Sequence, residues 1–140
     1  PDWLDLRSET YGILQREDTL KEIVKLLGPE ALPDEEKLIL EVARMIKIGI
    51  LQQNSFDDVD TYCSPEKQFK LMKLQVDFYN QGQQALKDGA SLADIRSMEV
   101  ISSLLKARMD VKDNEMDKLD KLATDMVEQF KSVTGVKVQN

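Results

Sequence analysis

Apolar side chains recur along most of the chain at the three- and four-residue spacing of an amphipathic helix. Four of them in the first segment lie seven residues apart: Leu6, Ile13, Leu20 and Leu27. This spacing predicts a first helix over about residues 5–27, with these four side chains on its buried face. Gly28 and Pro29 follow directly and predict its end, because neither residue favours continuation of a helix.

Proline and polar residues mark the next boundaries. A second helix is expected to begin at Pro33, because proline suits the first helical turn, and to weaken at Gly49. Residues 52–58 are rich in Asn, Ser and Asp, which predicts a loop with at most one short helical turn. Ser64 then provides an N-cap before Pro65, and the third helix is predicted to run from there to about Asp88.

The last third of the chain predicts two more helices. Ser91 and Asp94 have the spacing of a capping box, which predicts that a fourth helix starts here and continues to Leu105. A fifth is predicted before Gly135, because six apolar residues alternate at spacings of three and four: Met116, Leu119, Ala123, Met126, Phe130 and Val133. No alternating β-branched run is present. The pattern therefore predicts an all-α helical bundle of about five helices with little or no sheet.

Composition limits the possible partners. The chain has 140 residues, 41% of them hydrophobic, and we expect one helical domain over residues 1–140. Its net charge is −7, so it should repel nucleic-acid phosphates and anionic membranes, and we expect no nucleic-acid partner. No stretch approaches the roughly 18 apolar residues of a membrane span, so direct membrane insertion is not expected. A single cysteine, Cys63, fits a reducing cytoplasm.

The chain offers little enzymatic chemistry. It contains no histidine, which removes the usual general base and the commonest metal ligand. No phosphate-binding loop of the Gly-x-x-x-x-Gly-Lys type is present. Asp58 and Asp60 resemble the start of a calcium loop, but the glycine that such a loop requires is missing. We therefore assign no catalytic residue and no metal ligand.

Two connecting segments could bind a partner or a ligand. One is acidic and contains two prolines; its residues are Gly28, Pro29, Glu30, Ala31, Leu32, Pro33, Asp34, Glu35 and Glu36. Composition alone favours an ordinary connector between helices at this position. The other places Phe56 after uncharged amides such as that of Gln53. A flat heteroaromatic ligand would use such groups, yet a phenylalanine packed into the core explains them equally well.

Four sequence runs carry a family resemblance. They lie at residues 20–33, 41–45, 51–56 and 60–68, within a region of about residues 10–95. Together they resemble the C-terminal domain of the catalytic A subunit of archaeal A-type (V/A-type) ATP synthases. The last two helices match in pattern and position only.

The resemblance implies that the chain is a fragment of a longer catalytic subunit, and its start at Pro1 without an initiator Met fits that expectation. The parent would be a proton- or sodium-coupled ATP synthase or ATPase that binds Mg-ATP and ADP. This chain, without the P-loop, should be inactive alone and hold no cofactor. The implied partners are the B subunits of the catalytic hexamer and the central-stalk rotor subunit. The implied location is the cytoplasmic side of the cell membrane, as a peripheral protein.

The resemblance also implies roles for both segments. Residues 28–36 would contact the rotor, while Phe56, with Gln53 as a weaker candidate, would lie against the adenine ring in the intact subunit. The domain would then couple rotation of the central stalk to opening and closing of the nucleotide site. The alternative is a stand-alone helical adaptor that binds a basic protein partner through the acidic residues of segment 28–36.

Overall fold

A computed structural model describes residues 2–51 and 64–138, and nearly all of these residues are helical. The elements in chain order are α1 Asp2–Leu27, a 3₁₀ turn Pro29–Ala31, α2 Asp34–Ile46, a π-helical segment Lys47–Leu51, α3 Pro65–Lys87, α4 Leu92–Arg96, α5 Glu99–Asp110, a second 3₁₀ turn Asp113–Glu115, and α6 Asp117–Val138. No strand occurs within the described ranges. The predicted all-α class is confirmed, with five long helices and the single-turn α4.

The two predicted serine caps form as expected. Ser64 Oγ accepts a hydrogen bond from the backbone N–H of Lys67 at 3.2 Å, and Ser91 Oγ accepts one from Asp94 at 3.0 Å. Each bond satisfies an amide that has no carbonyl partner in the first turn of a helix. The starts of α3 and α4 are therefore determined locally.

The prediction of one continuous fourth helix was wrong, because the helix is interrupted between α4 and α5. Met98 has extended backbone angles, and its side chain is buried. The next helix begins immediately, and the side chain of Gln129 in α6 accepts the backbone N–H of Val100 at 2.9 Å. A residue from another helix thus caps α5, which no local spacing could indicate.

Of two glycines expected to weaken or end helices, Gly49 follows the end of α-helical bonding at Ile46, whereas Gly135 does not end its helix. The chain passes through Gly49 as a π-helix and through Gly135 as part of α6. A single glycine costs a helix only about 1 kcal/mol, so tertiary packing can outweigh it. At Gly49 the packing is close, since an added Cβ would lie 3.2 Å from the carbonyl oxygen of Leu104.

Helix α2 lies at the centre of the bundle, packed against α1 and α3. Five of its side chains are 0% exposed: Leu38, Val42, Ala43, Met45 and Ile46. The far side of α3 packs against α6, where the rings of Phe78 and Phe130 lie 5.2 Å apart. In residues 2–51 and 64–138, no helix is long and apolar enough to cross a membrane.

Candidate functional site

The acidic turn, residues 28–36, begins at a position that only glycine suits. Gly28 has φ 88° and ψ 160°, a region of backbone space that side chains disfavour. Its N–H donates to the carbonyl of Val24 at 2.8 Å and so closes the last turn of α1. The predicted end of the first helix is confirmed, and the reversal of the chain depends on this residue.

The rest of the acidic turn is short and firmly built. Pro29 opens the 3₁₀ turn, and its carbonyl accepts the N–H of Leu32 at 3.3 Å. The Leu32 side chain is 4% exposed and anchors the turn in the core. Pro33 is extended and precedes α2, where its carbonyl accepts two backbone N–H groups at 3.0 Å. Two prolines and a buried leucine therefore restrict this turn.

The carboxylates of the acidic turn differ in their partners. Glu30 lies 3.4 Å from Lys37 Nζ, and Glu36 lies 3.6 Å from Arg16. Asp34 and Glu35 are exposed and have no ion pair to any described residue. They occupy the first turn of α2, where the helix dipole favours negative charge. The turn thus presents to solvent two carboxylates that form no ion pair within the described part of the chain.

Two exposed leucines stand beside these carboxylates. Leu26 and Leu27, the last residues of α1, are 82% and 72% exposed. The heptad spacing placed Leu27 on the buried face, and that prediction was wrong. Leu32 from the acidic turn reaches the core instead, and Leu27 has no facing helix among the described elements to cover it. The surface at this end of the bundle is therefore both apolar and acidic.

The predicted adenine residues, Gln53 and Phe56, lie outside the described residues. The described residues on either side of this segment are both held by α5. Arg108 Nη1 donates to the carbonyl of Ile50 at 2.8 Å and to Gln68 Oε1 at 3.4 Å. Arg108 was not among the residues predicted from the sequence, because nothing in its own neighbourhood distinguishes it from an exposed helix arginine.

An ion pair with a buried carboxylate holds the start of the π-helical segment. Glu17 in α1 is 3% exposed, and its Oε1 lies 2.5 Å from Lys47 Nζ. Lys21 approaches the other carboxylate oxygen at 3.5 Å. The hydrogen bond with Glu17 raises the pKa of Lys47 above its usual value. This contact fixes the junction of α2 with the π-helical segment against α1.

Helix α2 connects these two regions. The acidic turn precedes its first residues, and the π-helical segment follows its last. Its 13 residues span about 20 Å. In the described part of the chain, no group of three or more acidic, Cys or His side chains could hold a metal ion. The arrangement is suited to transmitting displacement between two ends of a buried helix.

Comparisons with known proteins agree on one family. A family model described as the C-terminal domain of V and A type ATP synthase matches residues 1–96. The A subunit of the A-type ATP synthase from Ignicoccus hospitalis is 43% identical over 136 residues, which cover 96% of this chain and 23% of the relative. The corresponding protein of Hyperthermus butylicus is 42% identical over 139 residues, covering 98% of this chain and 23% of the relative. The V-type ATP synthase alpha chain of Halothermothrix orenii is 38% identical over 129 residues, which cover 92% of this chain and 22% of the relative.

These alignments add two facts. The similarity extends through the last two helices, which had been matched to the family by pattern and position only. The chain also spans less than a quarter of the length of these curated relatives, at 23% for the first two.

Proposed function

Since the chain belongs to the family of C-terminal domains of V and A type ATP synthases, we propose that it couples rotation of a central stalk to opening and closing of a nucleotide site. The acidic turn would contact the rotor. Displacement of this turn would pass along α2 to the chain that follows it. This function rests on differential contacts in each rotary state.

The observation that carries the proposal is the placement of α2. It is the most deeply buried of the described helices, and it joins the acidic turn to the π-helical segment. Side chains such as Val42 and Met45 have 0% exposure, so α2 cannot shift without moving the helices packed on it. A push on the acidic turn is therefore passed on rather than absorbed locally.

The parent protein would supply what this chain lacks. We assign Mg-ATP and ADP binding, ATP synthesis or hydrolysis and coupling to protons or sodium ions to the full-length catalytic protein within its complex. The partners would be the B subunits of the catalytic hexamer and the central-stalk rotor subunit. The complex would lie on the cytoplasmic side of the cell membrane, with this domain peripheral to it.

Two further residues complete the proposal. In the intact subunit, Phe56 would stack on the adenine ring, and Gln53 would lie beside it with its amide. An aromatic ring suits this task because every base has a flat apolar face. Both residues follow the π-helical segment closely in sequence.

The experiment compares two variants of the acidic turn in the reassembled complex. In the first, alanine replaces Glu30, Asp34, Glu35 and Glu36; in the second, glycine replaces Pro29 and Pro33. Exposed ion pairs are worth at most about 1 kcal/mol each and are screened by salt, so the charge variant should keep most of its torque. The glycine variant should lose torque, because a turn that buckles transmits no push.

Single-molecule rotation assays measure the torque of both variants, and equilibrium nucleotide binding serves as the control. Binding should be nearly unchanged in the glycine variant, which separates a coupling defect from a damaged site. A crippled charge variant beside a normal glycine variant would show that charge carries the coupling. Normal torque in both variants would exclude the acidic turn as the rotor contact.

A further inference from the structure

We propose that the π-helical segment Lys47–Leu51 is a joint whose hydrogen-bonding register is imposed by α1, α3 and α5, with Arg108 as the residue that positions its far end. The inference rests on the proposed function only for the movement that the joint would transmit, which is the displacement of α2. Contacts within this chain define the joint itself.

The sequence of the joint does little to hold a helix in either register. Ile48 and Ile50 are β-branched, and Gly49 is among the poorest helix formers. π-helices are rare and short, and they are frequent at functional sites. The π register at this position therefore needs support from outside the segment.

Helix α1 supplies the first contact. Glu17 is almost fully buried, and its carboxylate binds Lys47 Nζ at 2.5 Å. The Lys47 side chain itself is 44% exposed, so the pair joins a buried carboxylate to a partly solvent-exposed ammonium group. A buried charge that loses its partner is costly, so Glu17 holds Lys47 firmly.

Helices α3 and α5 close on the middle of the joint. A Cβ added to Gly49 would lie 3.0 Å from Gln75 Nε2 and 3.2 Å from the carbonyl oxygen of Leu104. The Gln75 side chain is 1% exposed and donates to the carbonyl of Met45 at 3.4 Å. That carbonyl lies where α-helical bonding changes to π-helical bonding, a place where helix carbonyls lose their regular partners.

Arg108 supplies the third contact, at the far end of the joint. Its Nη1 donates to the carbonyl of Ile50 at 2.8 Å, across 58 residues of sequence. The same atom lies 3.4 Å from Gln68 Oε1 in the first turn of α3. The guanidinium thus ties the end of the joint to the start of the next helix. Nη1 carries two N–H groups, so this one atom can donate to both acceptors.

A joint of this kind can transmit movement by a change of register. If the segment became α-helical, its far end would rotate about the helix axis by about 100° and move along it by about 1.5 Å for each residue that the α-helix gains. The contacts from Glu17, Gln75 and Arg108 favour one of the two registers. Movement of α2 against these contacts would then favour the other register.

Amide hydrogen exchange on the 140-residue chain tests the joint without any rotor or nucleotide. In Arg108→Gln, exchange at Ile48, Gly49 and Ile50 should rise roughly tenfold or more, because a local contact that closes the segment is lost. Arg108→Lys keeps the charge and should restore part of the protection. Arg96→Gln is the matched control, since Arg96 is exposed and lies 3.9 Å from Glu41; it should leave the three amides unchanged.

The reference amides are those of Ile39 and Val42 in the middle of α2. An equal rise there would mean that Arg108 acts only through global stability, which would overturn the proposal. No change at the joint would overturn it as well. If Arg108→Gln does not fold, Lys47→Gln provides the second test, because the Lys47 side chain is half-exposed and Lys21 still lies 3.5 Å from the buried Glu17 carboxylate. The same local rise is expected.

The two proposals can fail separately. Local exchange as described, with normal torque in both variants of the acidic turn, would retain the joint and reject the rotor path. Reduced torque in that glycine variant, with unchanged exchange in both joint variants, would retain the rotor path and reject the joint.

Discussion

The ammonium group of Lys67 lies 2.7 Å from the carbonyl oxygen of Arg108 and also donates to the carbonyl of Val111. The lysine is only 3% exposed. Its positive charge meets the last carbonyls of α5, where the helix dipole is negative and the backbone lacks helical partners. A buried cation from the first turn of α3 therefore closes the end of α5.

Lys67→Met should destabilise the chain by about 2–3 kcal/mol, because it removes charge-assisted hydrogen bonds and leaves buried carbonyls without donors. Urea unfolding followed by circular dichroism measures the change. Lys73→Met is the matched control on the same helix, since Lys73 is exposed and pairs with Asp77 at 3.2 Å. The control should cost at most about 0.5 kcal/mol. Equal effects in both variants would remove the special role of Lys67.

Gly28→Ala should destabilise the chain by about 1–3 kcal/mol, because φ 88° and ψ 160° are strained for any side chain. Gly12→Ala is the opposite control. Gly12 lies within α1, and an added Cβ there would meet nothing within 4 Å. That change should stabilise the chain by about 0.5–1 kcal/mol, since alanine is the better helix former. Thermal unfolding of both variants gives the two signs, and a stabilising Gly28→Ala would contradict the described turn.

Nucleotide binding should require the parent subunit. We expect the isolated chain neither to hydrolyse ATP nor to bind it tightly, since one stacking contact supplies only about 1–3 kcal/mol. Calorimetry with micromolar or tighter affinity would contradict this. In the intact subunit, Phe56→Ala should weaken nucleotide binding, and Phe69→Ala serves as a control outside the proposed adenine segment. Unchanged affinity in Phe56→Ala would remove Phe56 from the site.

Alkaline pH should weaken the fold through two groups whose folded-state pKa is raised. The bond with Glu17 raises the pKa of Lys47 above 10.5, and burial raises the pKa of Tyr79 above 10.0. Each group therefore keeps its proton to a higher pH in the folded state than in the unfolded chain. Its contribution to stability is complete below the unfolded pKa and is lost as pH rises through the folded pKa.

The urea midpoint of the unsubstituted chain should therefore fall as pH rises past 10. Tyr79→Phe should show a smaller fall, because its side chain does not titrate. The comparison is made as a change in slope, since this variant also loses the hydrogen bond that Gln83 donates to the phenol oxygen at 2.6 Å. If the urea midpoint of Tyr79→Phe falls with pH as steeply as that of the unsubstituted chain, Tyr79 takes no part in the alkaline transition.

Comparison of the two serine caps with Met98 explains where sequence reasoning succeeded. The caps at Ser64 and Ser91 each join residues three positions apart, so the local sequence contains the whole interaction. The break at Met98 depends on Gln129, which lies 29 residues from Val100. No periodicity within residues 91–105 reveals that partner, and the local pattern favoured one continuous helix.

Local sequence is sufficient for the all-α class, the chain reversal at Gly28 and the acidic composition of the turn that follows. These properties depend on hydrophobic spacing, backbone preferences and charge, which act over a few residues. The exposure of Leu27, the burial of Lys67 and the π register that holds Ile50 depend on how the helices pack. Those depend on which helix lies opposite, and the Ile50 carbonyl meets its donor across 58 residues. A contact of that range exists only after the helices have packed.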